Sequence, residues 1–231
     1  RCRLGWLVAG LAVGLSASAQ AEIETLKATY SSANGIGVEE GVMRRDPSDI
    51  IKVGDLYYVW YSKGKIAPGY DATVWYATSP DGRTWTERGM ALAKGEPGSW
   101  EGASVFTPNI LVAEGRYWLF YTGTSRKFGK PFNPDSKIGI AVSDSPDGPW
   151  TPYNQIVIPN GGEGEWDQYS IHDPYPLVYK GKIYLYYKSD FGTEDGHKVR
   201  MQGLATADHP LGPFTKHPLN PVINSGHETS L

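Results

Sequence analysis

Cysteine is nearly missing from this sequence. Cys2 is the only one in 231 residues, and it precedes an apolar run instead of standing at a lipoprotein cleavage site. A mature chain without it has no disulfide and no thiolate metal site. An excess of charge of one sign is also missing: the formal net charge is −3. No basic stripe runs through the sequence, which argues against a nucleic-acid partner and favours a small, neutral one. Long apolar runs are lacking too. The N-terminal "LGWLVAGLAVGLSASAQA" is short and broken by Gly and Ser, too weak for a membrane span. Beyond it, helical periodicity is absent.

That N-terminal stretch has another reading. Arg1 and Arg3 precede the apolar run, and Ala19-Gln20-Ala21 places small residues at a cleavage spacing. Residues 1–21 are therefore expected to be a secretory signal peptide, with an uncleaved anchor as the alternative. Once the leader is removed, no membrane contact is expected. Export followed by disulfide-free folding suits a secreted or periplasmic bacterial protein. The first residue is Arg, not Met, so the true start is expected to lie upstream.

Aromatics, glycine and proline are what the sequence has. Trp 8, Tyr 15, Gly 28 and Pro 17 describe short strands joined by tight turns. The strands recur. "LYYVWYSKG" (56–64), "RYWLFYTGT" (116–124) and "IYLYYKSDF" (183–191) are aromatic strands that each follow a Gly-containing turn. "WYATSPDGRTW", "IAVSDSPDGPW" and "LATADHPLGPF" follow them, ending at Trp85, Trp150 and Phe214, which are 65 and 64 residues apart. "RRDPSDII", "VFTPNILV" and "IHDPYPLV" precede them, and the lead-ins "WEGASVFTP" and "WDQYSIHDP" match. Four strands per unit of about 65 residues is a β-propeller blade with long loops. A two-sheet sandwich is the competitor, but it explains no such echo. The poor alternation of "YWLFY" fits strands covered on both faces.

These repeats predict an all-β chain: residues 22–40 as an N-terminal segment and 41–231 as a propeller domain. Pro47, Pro108 and Pro174 open successive units, and Thr229 falls 55 residues beyond Pro174. "SGHETSL" thus reads as the first strand of a fourth blade, and the chain as an incomplete piece of a five-bladed ring.

The first strand of each blade lines the central channel of a propeller. The residues just before each Pro, in register, are Asp46, Thr107, Asp173 and, in the fourth unit, Glu228. Three carboxylates around one axis repel each other and raise one another's pKa. Sites that tolerate such a cost are usually functional. Glycoside hydrolysis uses such a set: one carboxylate activates water while another group protonates the leaving oxygen. Trp75, Trp100 and Trp166 are candidate flat faces for a sugar ring. Taken singly, an Asp before Pro is an ordinary turn residue; the shared register carries the catalytic reading. Asp81 and Asp147 in the SPDG turns are expected to make local turn bonds on the rim, and His197, His209 and His217 to be solvated.

"VMRRDPSDIIK", "YYVWY", "SVFTP", "HDP", "YLYYK" and "NSGHE", in this order, resemble glycoside hydrolase family 117, the α-1,3-neoagarooligosaccharide hydrolases, within the family 43-like five-bladed propeller clan. The resemblance spans about residues 40–231. It implies Asp46 as general base, Asp173 as its assistant, His227 as general acid and Glu228 as a supporting carboxylate. Arg45, Trp75, Thr107 and His172 become candidate substrate-binding residues. The implied reaction is inverting removal of 3,6-anhydro-L-galactose from the non-reducing end of an oligosaccharide. Some members of the family hold a divalent cation near the carboxylates. Members also exchange a long helical N-terminal segment in a homodimer, and only "EIETLKATYSSANGIGVEEG" stands in its place here, which puts the swap in doubt and leaves a homodimer open.

Two alternatives stay open: an arabinan- or xylan-type hydrolase of the family 43 kind with Glu228 as acid, and a non-catalytic sugar-binding propeller. One tension also stands. His227 aligns with Arg45, Phe106 and His172, whereas Glu228 aligns with the acids, and neighbouring strand residues point to opposite faces. Both reach the pocket only if the strand start is irregular, for which Gly226 gives room.

Overall fold

Alternate side chains of "RYWLFYTGT" are buried against different neighbours. Trp118 and Phe120 join one core cluster with Ile183, Leu185 and Tyr187. Leu119 and Tyr121 join another with Tyr58, Trp60 and Val74. A strand buried on both faces has no use for polar alternation, and this explains its near-continuous apolar run. The computed structural model describes residues 29–30, 32–65, 70–126, 136–192 and 198–224. The leader expected over residues 1–21 lies outside them, as do residues 22–28 and 31 of the N-terminal segment. The chain divides into two compact units, Arg1–Ser31 and Ser32–Leu231. Every strand among the described residues belongs to the second.

The strands are β1 (Val42–Arg45), β2 (Ile51–Val53), β3 (Leu56–Lys65), β4 (Ala72–Ser79), β5 (Thr86–Leu92), β6 (Ser104–Ala113), β7 (Arg116–Thr124), β8 (Lys137–Ser143), β9 (Thr151–Pro152), β10 (His172–Tyr179), β11 (Lys182–Gly192), β12 (Lys198–Ala207) and β13 (Thr215–Lys216). They form three antiparallel sheets: β1-β3-β4-β5 with β2 also on β3, then β6-β7-β8-β9, then β10-β11-β12-β13. These are three propeller blades, each wound in chain order, as the repeat predicts. No helix occurs among the described residues. Two-residue turns join the first two strands of a blade. In blades two and three both turn residues, Glu114-Gly115 and Lys180-Gly181, have positive φ, which suits the twist of a hairpin.

One refinement concerns blade one. Its first strand is broken in two, with β1 pairing the end of β3 and β2 its beginning. The break falls at Asp46-Pro47. Blades two and three have register shifts at the same place, between Phe106 and Asn109 and between His172 and Tyr175.

The lead-in tryptophans are spent on packing. Trp100 stacks on Tyr121 with centroids 6.2 Å apart, and Trp166 on Tyr187 at 5.5 Å. Their rings lie against Gly123, Gly139 and Gly203, where a Cβ would come within 2.5–2.6 Å of the indole. Glu101 and Asp167 accept the hydroxyls of the same tyrosines, at 2.6 and 3.0 Å. This corrects the sugar-platform expectation for Trp100 and Trp166, which brace blade interiors.

The turns between third and fourth strands also do more than expected. Asp81 makes its local bonds, accepting the Arg83 and Thr84 amides at 2.8 Å. Asp147 instead reaches blade one, accepting from Tyr58 at 3.2 Å and Tyr76 at 3.3 Å. His209, in the equivalent turn of blade three, sets its ring edge-on to Trp118 at 5.6 Å. It also accepts the Leu211 amide at 3.1 Å, and His217 accepts the Leu219 amide at 3.2 Å. These two histidines are turn residues with partners, not merely solvated ones. His197 lies outside the described residues.

Candidate active site

Each blade kinks at the residue before its proline. Asp46, Thr107 and Asp173 have φ of 51°, 44° and 53°, a left-handed conformation that costs a residue with a Cβ, most of all β-branched Thr107. Three blades repeat the same left-handed backbone at the pre-proline position of their first strand. The kink also removes strict alternation. Arg45 Nε donates to Asp46 Oδ1 at 3.2 Å, and His172 Nδ1 lies 3.2 Å from Asp173 Oδ1. Neighbouring residues therefore meet side chain to side chain in blades one and three. The irregularity needed to bring two adjacent residues to one pocket is built at the pre-proline residue itself, without a glycine. His227, Glu228 and Gly226 lie outside the described residues.

The kinked residues share a second feature. Each contacts the residue that follows the last tyrosine of its blade's aromatic strand: Asp46 accepts from Ser62 at 3.4 Å, Thr107 Oγ1 lies 2.6 Å from Thr122 Oγ1, and Asp173 pairs with Lys188 Nζ. The same hydroxyls catch the next blade. The Thr107 amide donates to Ser62 Oγ at 2.8 Å, and the Asp173 amide to Thr122 Oγ1 at 3.0 Å. A continuous hydrogen-bond chain thus runs from Asp46 through Ser62, Thr107 and Thr122 to the backbone of Asp173. The middle blade carries a threonine on the acid rung because that position needs a hydroxyl partner for Thr122, buried where a charge would be expensive.

Asp46 and Asp173 are brought into one electrostatic environment. Burial pushes the Asp46 carboxyl above its ordinary value and the charge of Asp173 pushes the same way, against Arg45 and a hydrogen bond from Tyr70. Asp173 moves in the other direction. Burial opposes its charge, but His172 and Lys188 prevail and hold it well below the usual carboxylate range. Lys188 is 6% exposed and Asp173 13%, so this pair is screened little by solvent. Behind it, His172 Nε2 lies 3.9 Å from Asp190, which pairs with Arg200 at 3.3 Å.

The remaining expected residues fall as follows. Arg45 lies over the site, with its guanidinium 4.7 Å from the Tyr70 ring centre. Thr107 and His172 are buried, in the positions just described. Trp75 stands apart. It pairs with Tyr61 across β3–β4 and lies beneath Lys63 Nζ at 3.9 Å, packed with Tyr57 and Ile36. Tyr61 and Ser62 alternate on β3, so Trp75 is on the opposite face of blade one from Ser62 and Asp46. The fold does not bring it to the carboxylates.

A divalent cation finds no fit at the two acids. Arg45, His172 and Lys188 already face their oxygens. Among the described residues, no group of three or more His, Cys, Asp or Glu side chains is disposed to hold a metal ion.

The model of the glycosyl hydrolases family 43 matches residues 41–191, from the start of blade one through the aromatic strand of blade three. The chain belongs to that family. The family 43 chain is also 42% identical to a family 117 glycoside hydrolase of the marine bacterium Zobellia galactanivorans, with a TM-score of 0.79 over 87% of this chain and 64% of that one. It is 34% identical over 117 residues to an extracellular endo-α-(1→5)-L-arabinanase of Thermotoga petrophila, covering 48% of this chain and 24% of that protein. A levansucrase of Bacillus subtilis is 27% identical over 124 residues, which is 47% of this chain and 25% of the enzyme. The family 43 chain therefore spans about a quarter of the length of these curated relatives.

Proposed function

We propose that this family 43 chain is part of an exported glycoside hydrolase of the family 117 kind. It removes 3,6-anhydro-L-galactose from the non-reducing end of α-1,3-linked neoagarooligosaccharides with inversion. The observation that supports this reading most is the pairing of Asp46 and Asp173. They occupy one rung of two blades and one electrostatic environment, and their proton affinities are pushed apart. Two acids with opposed affinities are the pattern of divided acid–base labour. In this reading Asp46 takes a proton from water as the water attacks the anomeric carbon. Asp173 stays ionised and supports the developing oxocarbenium charge, and His227 gives its proton to the leaving oxygen, with Glu228 supporting it. Arg45 holds Asp46 in place. The 42% identity to a family 117 glycoside hydrolase supports a reaction of that family's kind.

The test is hydrolysis of neoagarobiose by the full-length protein and by Asp46→Asn. Release of 3,6-anhydro-L-galactose by the first and not the second is expected. Equal rates for the two sink the assignment of the base.

The match to an arabinanase favours a second reading, an arabinan- or xylan-type hydrolase with Glu228 as the acid. His227→Ala and Glu228→Gln separate the two. Only the variant that has lost the true acid recovers its rate on an activated aryl glycoside, whose leaving group needs no proton.

A further inference from the structure

Ser62, Thr122 and Lys188 form one column along the aromatic strands, each directly after the last tyrosine of its strand. The first two work in both directions. Each contacts the pre-proline residue of its own blade and catches that of the next: Ser62 accepts the Thr107 amide at 2.8 Å, and Thr122 the Asp173 amide at 3.0 Å. A hydroxyl manages this because it both donates and accepts. Lys188 keeps the first contact, with its Nζ on Oδ2 of Asp173, while Oδ1 faces His172 Nδ1 at 3.2 Å. It cannot repeat the second. An ammonium has three N–H donors and no lone pair for a backbone amide. Whatever meets Lys188 across the next seam must bring an oxygen, and a charge as deeply buried as this one is matched by a carboxylate. Register carries the fourth rung to Glu228, outside the described residues.

We propose that Lys188 seats the first strand of the next blade, residues 225–231, by pairing with Glu228, and is thus the positioning residue of two acids, Asp173 and Glu228. Charge complementarity argues for this occupant: the rung that follows a cation carries an acid, whereas the rungs that follow hydroxyls are caught by their amides. The inference deepens the reading of Glu228 as a supporting carboxylate, on which it rests. The charged groups around Lys188 are His172 and Asp173 on β10, Asp190 on β11 and Arg200 on β12, with Arg45 and Asp46 of blade one beyond Asp173. Arg45 and Arg200 are each matched to an acid of their own, Asp46 at 3.2 Å and Asp190 at 3.3 Å. Lys188 therefore sets the charge of Glu228. A carboxylate against an ammonium stays ionised to lower pH, so Glu228 is a fixed anion and the proton for the leaving oxygen falls to His227.

The experiment uses the full-length protein and Lys188→Thr, which gives blade three the residue of blade two. The carboxyl ¹³C titration of Glu228 is followed in protein labelled at glutamate, assigned by its disappearance in Glu228→Gln. In the wild type its midpoint is expected below the ordinary glutamate range. In Lys188→Thr it is expected higher by about one pH unit or more, the scale of an opposite charge close by. A midpoint unmoved in Lys188→Thr overturns the inference and means that a group of substrate or partner meets the ammonium instead. A wild-type midpoint above the ordinary range also overturns it and favours Glu228 as the acid. If Lys188→Thr fails to fold, the ¹⁵Nζ resonance of Lys188, assigned by its loss in Lys188→Arg, is compared between wild type and Glu228→Gln. A moved resonance upholds the contact and an unmoved one overturns it. None of these readouts needs a substrate, so the inference and the proposed hydrolysis of neoagarobiose fail separately.

Discussion

Asp46 and Asp173 have the same rung, the same left-handed backbone and the same neighbouring proline, and their surroundings drive them in opposite directions. Part of the difference originates one strand away. The partner of Asp46 on the aromatic strand is the hydroxyl of Ser62, whereas that of Asp173 is the ammonium of Lys188. A hydroxyl leaves burial and the second acid to raise Asp46. At Asp173 burial is overridden by His172 first and then by the ammonium. Within a repeating fold, changes at two aligned positions, Arg45 to His172 and Ser62 to Lys188, accompany the turn of one acid into a proton acceptor and the other into a fixed anion.

The largest test of this contrast is catalytic. Asp46→Asn is expected to lower kcat/KM by about 10³-fold, the scale of a lost general base, as measured on the full-length enzyme. A loss no larger than that of Arg45→Lys breaks the contrast at its root. Next in size is stability at Asp173. Asp173→Asn leaves the ammonium of Lys188 buried against a neutral amide, which costs about 3 kcal/mol. Urea unfolding at neutral pH measures it, and an unchanged midpoint means that the pair is not stabilising.

The third test sets the two acids against each other across pH. Asp173 has a depressed folded-state affinity. Its contribution is therefore present above the unfolded value of 3.8 and is lost as pH falls below it. Asp46 has a raised affinity, so its ionisation opposes folding. That cost is absent below 3.8 and complete once pH has risen past the folded value. Asp46→Asn is thus expected to stabilise the protein by about 1–2 kcal/mol at pH 7 and not at all near pH 3. The penalty of Asp173→Asn shrinks over the same acid range. Thermal melts of both variants from pH 3 to 7 check the signs, and parallel curves contradict them.

Much of this architecture is legible in the residues. The spacing of Trp85, Trp150 and Phe214 identifies the blades, and the three pre-proline positions identify the acid rung, because register in a repeat survives loops of any length. Ser62, Thr122 and Lys188 were within reach as well. They follow Tyr61, Tyr121 and Tyr187 in the aligned aromatic strands, in a column that is polar in all three blades. Tyr70 was not, since a loop residue has no counterpart in the other units, nor was Asp190, whose counterparts Gly64 and Thr124 carry no charge. Trp100 and Trp166 misled for a physical reason: a flat aromatic serves a sugar and a glycine-lined blade equally well, and only packing decides which.

The smallest expected effects concern the chain that joins the two acids. Ser62→Ala removes the acceptor of the Thr107 amide, and Thr122→Val removes that of the Asp173 amide. Each costs about 1 kcal/mol of unfolding free energy. If the blade seams were independent, the double variant would show the sum. They are not independent, because Thr107 binds Ser62 through its amide and Thr122 through its hydroxyl, and its strained φ is held by both. Once one hold is gone, Thr107 relaxes and the second has less to lose. A double-mutant cycle is therefore expected to show a coupling of about 0.5 kcal/mol or more, with the double variant less destabilised than the sum. Strict additivity would mean that Asp46 and Asp173 share a pocket but not a scaffold.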